Sequence, residues 1–145
     1  MMKLTNETVL LNQSVATKEE AIHLAGELLV KAGFVSPEYV DAMLEREKIV
    51  STYMGNFLAI PHGTDEAKKH ILNSGISLVQ VPAGVEFGNG DKPAKVIIGI
   101  AGKGDDHLEV LSTVAIAFSE IEVAEQIINA SNVDEINAVL EGVEL

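Results

Sequence analysis

The stretch Ala94–Ala101, which reads AKVIIGIA, limits what this chain can become more than any other. Only Lys95 breaks it, and four of its residues are β-branched, so it reads as a strand. It lacks the in-out alternation of a half-exposed strand, so it belongs at the centre of a sheet covered on both faces. The rest of the chain must then supply helices for two layers. Hydrophobic residues make up 47% of the sequence, but Trp is absent and aromatics are only 4%. The core is therefore built from Ala, Val, Ile and Leu.

The expected elements fit that demand. Thr8–Asn12 is a short strand candidate. Thr17 and Glu20 form a capping box opening a helix to about Ala32, with Ile22, Ala25, Leu29 and Ala32 on one face and Gly33 ending it. Ser36 as N-cap and Pro37 at the first helical position open a second helix, with Tyr39, Val40, Met43 and Leu44 on its apolar face and Arg46 near its C-terminal end. Phe57–Ile60 is a short buried strand that halts at Pro61-His62-Gly63, and Thr64 caps a short helix after it. Gly75–Val81 and Ala94–Ala101 are strands separated by a turn-rich, hairpin-like excursion. A helix follows Gly102 and Gly104, capped by Asp105 or Asp106, with Leu108, Leu111, Val114, Ala115 and Phe118 buried. Two more helices start near Ser119 and Asn132, the latter with a capping box to Glu135. The sum is an α/β fold in a single domain over residues 1–145.

Composition excludes several function classes. No cysteine is present, so disulfides, thiolate metal sites and cysteine nucleophiles are out. A net charge of −12 opposes binding to nucleic acid and to anionic lipid, while a basic protein partner would be attracted. No apolar run approaches the ~18 residues that span a bilayer, and the N-terminus lacks the apolar region of a signal peptide. A cytoplasmic chain is expected. Of the ten basic residues nine are Lys, and the one Arg is Arg46. Arg offers a planar two-pronged donor to phosphate that Lys cannot copy.

Among four histidines, His23 and His70 read as solvated surface residues. His62 follows a buried strand, between a Pro that fixes the backbone and a Gly that allows close approach. His107 lies in the first turn of a helix after a Gly-rich loop, where free backbone N–H groups and the helix dipole favour anions. Each has a plain structural alternative as a turn residue. No HxH, HExxH or GxSxG pattern is present, so metal and serine-hydrolase readings have little support. Two imidazoles and one guanidinium suit phosphoryl transfer. A neutral imidazole attacks phosphorus, while the second His and the Arg hold the oxygens. No GxxxxGK[ST] loop is present, consistent with a phosphoprotein donor rather than a nucleotide.

The segment from Arg46 through Ser51-Thr52-Tyr53-Met54-Gly55 to Pro61-His62-Gly63-Thr64 resembles the signature of the mannitol/fructose class of EIIA domains of the sugar phosphotransferase system, and Val96–Glu109 resembles its second block. The wording is nearer to mannitol members than to fructose or nitrogen-regulatory ones, which remain the alternatives. The resemblance implies a mixed β-sheet flanked by helices on both sides. It implies a phosphotransferase component with no cofactor and no metal. His62 would be phosphorylated at Nε2, with His107 and Arg46 around the phosphoryl group. HPr would be the donor, and the acceptor would be the EIIB part (EIIB or EIICB) of a mannitol permease. The chain would bind no sugar directly and would not itself span the membrane, meeting the permease only transiently. Apolar residues near His62 would centre the docking surface, with Leu58 and Met54 as candidates by proximity.

Overall fold

The computed structural model describes residues 4–88 and 92–143. Its elements follow in the order β1 (Val9–Leu10), α1 (Lys18–Lys31), α2 (Glu38–Ile49), β2 (Tyr53–Gly55), β3 (Leu58–Ala59), a 3-10 helix (Asp65–His70), β4 (Gly75–Val85), β5 (Ala94–Ala101), α3 (Asp106–Ala117), α4 (Ile121–Ile128) and α5 (Val133–Val143). The five strands form one sheet in the order β1-β4-β5-β3-β2. β1 runs parallel to β4 and β3 parallel to β5, while β4–β5 and β2–β3 are antiparallel. The sheet is therefore mixed.

β5 is central, as its sequence requires. Val96, Ile98 and Ile100 point into the core shared with α3, α4 and α5, while Ile97 and Ala101 point into the core under α1 and α2. β4 divides in the same way, Ile76 and Leu78 to one side and Val79 and Val81 to the other. This two-residue period is that of a pleated strand with both faces buried. The two buried polar residues of β4 are satisfied across the layers. Ser77 donates to the Ala25 carbonyl of α1 at 2.8 Å, and Gln80 donates to the Ile127 and Ala130 carbonyls at 3.0 Å each.

Several local expectations are corrected. Thr17 caps α1 by accepting from the Glu20 N–H at 3.2 Å, but the Glu20 carboxylate reaches past it to the Ala16 N–H at 2.7 Å. Ser36 does not cap α2; its hydroxyl lies 3.2 Å from His70 Nδ1, and Pro37 holds the N-cap position. His70 is accordingly half-buried rather than solvated, whereas His23 is exposed and pairs with Glu27. Thr64 and Asp105 occupy N-cap positions without a side-chain cap bond. β2 went unread because Ser51–Gly55 shows no apolar alternation. It is held instead by pairing with β3 through a turn in which Asn56 and Phe57 both take positive φ. The first strand is shorter than expected, and β4 continues past Pro82 through an irregular register. Part of the excursion between β4 and β5, residues 89–91, lies outside the described residues. Leu108 is exposed, because Val110, Val114 and Ala117 form the buried stripe of α3.

Replacing Ile98 with Ala removes a fully buried side chain from the central strand. The expected loss is about 2–5 kcal/mol of unfolding free energy. Urea denaturation reads this as a lower midpoint with an unchanged slope.

Candidate active site

β3 and β5 are adjacent, parallel and end at the same edge of the sheet. The pairing outlasts β3 itself, because the Ile100 N–H donates to the Pro61 carbonyl at 3.0 Å and His62 sits opposite Ile100 as a parallel bridge. His62 thus leaves the end of one strand. His107 follows the end of the next, as the second residue of α3. The carboxyl ends of parallel strands are the usual place for ligands in α/β sheets.

Two glycines make the approach possible. A Cβ on Gly102 would stand 2.3 Å from the Cα of His107, so only glycine lets the first turn of α3 fold back against the strand end. A Cβ on Gly63 would stand 2.6 Å from a ring carbon of Tyr39. The loop before α3 is tied down as well. The Ser74 hydroxyl donates to the Asp106 carboxylate at 2.7 Å and accepts from the Lys103 N–H at 2.8 Å. Asp106 is thus engaged with Ser74 and does not act as the cap expected from the sequence.

The imidazoles of His62 and His107 stand edge to face, with ring centroids 5.3 Å apart and planes at 62°. Both line a cleft of about 220 Å³ that also takes in Arg46, Ile49, Asp65 and Lys68. That volume is below the roughly 300–1,000 Å³ of cofactor-sized pockets and suits a small group. The structure brings together all three residues singled out by sequence. Arg46 comes from the last turn of α2, and its Nη1 donates to the Val50 carbonyl at 2.8 Å.

The protonation state of His62 follows from one contact. Its Nδ1 lies 2.8 Å from the Ile60 carbonyl oxygen. A carbonyl can only accept, so Nδ1 carries the proton and the neutral ring keeps its lone pair on Nε2. Burial is the main influence on its pKa and pushes it below the ordinary 6.5; the Arg46 cation acts in the same direction, against the Ile60 bond, Asp65 and Glu47. His107 is also pushed down, first by burial and then by His62 and Lys68. The neutral forms prevail at neutral pH, which gives the site a nucleophilic nitrogen. Among the described residues, no group of three His, Cys, Asp or Glu side chains is placed to hold a metal ion.

Residues 2–143 match the family model described as phosphoenolpyruvate-dependent sugar phosphotransferase system, EIIA 2. The chain belongs to this family. It is 51% identical over 139 residues to the mannitol-specific phosphotransferase enzyme IIA component of Bacillus subtilis, covering 96% of each chain. Its fold matches the enzyme IIA of the mannitol system in a complex with phosphorylated enzyme IIB from Escherichia coli, with a TM-score of 0.92 and 43% identity over 98% of this chain and 99% of that one. The crystal structure of IIA mannitol from Escherichia coli matches with a TM-score of 0.89 and 45% identity, over 96% of this chain and 99% of that one.

Two residues beside this cleft are not singled out by the sequence, Tyr39 in its lining and Glu47 behind it. Tyr39 was visible only as part of an apolar helix face, although a buried phenol needs a hydrogen-bond partner and it lies two turns before Arg46. Glu47 carries no mark in the sequence. It is buried, and its carboxylate accepts from the Thr52 N–H at 2.8 Å and hydroxyl at 2.7 Å, with Lys18 at 3.4 Å. No local pattern marks a carboxylate whose partners come from another helix and a later turn.

Both site imidazoles are expected to titrate below 6.5, read by their ¹H–¹⁵N resonances against pH. Because folding lowers their pKa values, the unfolded chain takes up their protons first. Their effect on stability is absent well above 6.5 and grows as pH falls from there through the depressed values, destabilising the fold.

Proposed function

We propose that this chain is a phosphoryl carrier of mannitol type, accepting a phosphoryl group on His62 from phospho-HPr and passing it to the EIIB part of a mannitol permease. The observation that carries the reading is the Nδ1 contact with the Ile60 carbonyl, which leaves Nε2 as the free nitrogen in a small cleft. The Nε2 lone pair forms the new bond to phosphorus as the nitrogen–phosphorus bond of the donor's phosphohistidine breaks, and the bonding pair stays on the donor's nitrogen. Nδ1 keeps its proton on the Ile60 carbonyl, so the phosphorylated ring is cationic. It leaves as neutral imidazole when the acceptor's nucleophile takes the phosphoryl group. His107 and Arg46 donate to the phosphoryl oxygens, where charge builds during transfer.

The similarity to mannitol-specific relatives at about half identity over nearly the whole chain supports mannitol as the transported sugar. The sugar is bound by the permease and not by this chain. Residues 1–145 act as one EIIA domain in the cytoplasm, docking transiently at the membrane. No helix among the described residues is long and apolar enough to cross it. Docking is served by exposed apolar side chains beside the two histidines, Ile49 in the cleft wall and Leu108 next to His107. Of the two candidates named from sequence, Met54 is half exposed, whereas Leu58 belongs to the core and is no docking residue.

Intact mass after incubation with phosphoenolpyruvate, enzyme I and HPr is expected to show one acid-labile phosphoryl group on the wild type and none on His62→Ala. Full phosphorylation of that variant would refute the assignment. His107→Ala is expected to fold and to transfer about 10²–10³-fold more slowly, as for the loss of a transition-state donor. Restored mannitol uptake in cells lacking their own mannitol EIIA tests the sugar.

Leu108→Glu is expected to raise KM for phospho-HPr and leave kcat nearly unchanged, because it touches the encounter surface and not the phosphoryl group. Steady-state transfer kinetics over a range of phospho-HPr checks this.

A further inference from the structure

Tyr39 is almost fully buried, yet its hydroxyl joins two backbone segments beside the cleft. It donates to the Ile100 carbonyl at 2.8 Å and accepts from the Gly63 N–H at 2.9 Å. Ile100 is the residue of β5 that pairs with His62, and its N–H is already engaged with Pro61. Gly63 follows His62 directly. Where the backbone ladder between the two strand ends stops, the Tyr39 hydroxyl takes over as the link. Its helix, α2, carries Arg46 seven residues on, about two turns away and on the same side. The Tyr39 ring is in turn seated against Gly63, where no Cβ would fit.

We propose that Tyr39 is a positioning residue whose hydroxyl fixes the mutual placement of His62, His107 and Arg46. It borders the cleft, but its single proton is committed to the Ile100 carbonyl, so it is no donor to a bound phosphoryl group. This inference deepens the phosphocarrier reading and rests on it for its kinetic arm only.

The test is Tyr39→Phe, which keeps the ring and removes the link. Two readouts are taken. Without any phosphoryl donor, the ¹H–¹⁵N resonances and titration of the His62 and His107 imidazoles are expected to shift from wild type, while the amide spectrum stays that of a folded chain. With phospho-HPr, kcat is expected to fall about 10- to 100-fold with KM unchanged, the cost of a misplaced reacting group. Imidazole resonances identical to wild type, a wild-type kcat, or a change confined to KM would each overturn the proposal. If Tyr39→Phe does not fold, Gly63→Ala is measured in the same way, since it keeps the hydroxyl and displaces the ring; wild-type imidazole spectra and kcat in that variant overturn the proposal. A wild-type chain that takes no phosphoryl group defeats the carrier reading, and the donor-free imidazole arm still decides the role of Tyr39.

Discussion

The parallel pairing of β3 against β5 is the contact on which the site depends. β3 is only two residues long and enters from a turn with two non-glycine residues at positive φ, so it has little intrinsic reason to be a strand. Its place is set by the ladder it shares with β5, where Leu58 faces Val96 and Ala59 faces Ile97, and by the Phe57 carbonyl, which accepts from the N–H groups of Lys95 and Val96. The Asn56 amide adds a further tie, donating to the Phe118 carbonyl at the end of α3 at 2.7 Å. One helix therefore touches the hairpin at its C-terminal end and carries His107 at its N-terminal end. Because the two strands run parallel, their ends coincide, and residues distant in sequence meet at one edge.

The chemistry then turns on which electrostatic effect is strongest. A chain with net charge −12 would, by bulk potential alone, hold its histidines protonated. Most of that charge is on the solvated surface, where interactions beyond a Debye length of about 8 Å are largely screened. Burial acts at contact range, and it is the foremost influence on both site imidazoles. The cations Arg46 and Lys68 assist it. An acidic protein thereby keeps a neutral imidazole in a cleft where Arg46 and Lys68 outnumber Asp65, a combination that, in the proposed phosphocarrier reading, favours both attack on phosphorus and retention of the transferred group.

Much of this is legible in the sequence. AKVIIGIA points to its central place because a strand apolar at every position but Lys95 fits only an environment covered on both faces. His62 stood out through its Pro and Gly neighbours, and both neighbours proved to matter, Pro61 through its carbonyl and Gly63 through the seat of Tyr39. Arg46 stood out through composition. What could not be read was anything whose cause lies across the fold. The Ser36 hydroxyl turns to His70, Asp106 turns to Ser74, and Leu108 faces outward. For Ser36 and Asp106, a local rule lost to a partner supplied by tertiary structure. Leu108 departs from expectation for a different reason. α3 is apolar around much of its circumference, so periodicity left its buried stripe ambiguous.

Arg46 and Glu47 show how this site is kept ready at little expense to the cleft itself. Consecutive residues on a helix point about 100° apart, so Arg46 reaches the cleft while Glu47 turns inward. A buried carboxylate is tolerable only when its oxygens are occupied, and Thr52 occupies one of them twice. The same bonds fix the turn that follows α2, and within that turn lies Val50, whose carbonyl holds the Arg46 guanidinium. If Arg46 meets a phosphoryl group as proposed, part of the rotational freedom it would lose there is given up beforehand, during folding. Tyr39 does the same for the backbone around His62. In the phosphocarrier reading, much of the ordering that transfer demands is carried by buried contacts behind the cleft, while Arg46 keeps its remaining N–H groups beyond the one given to Val50.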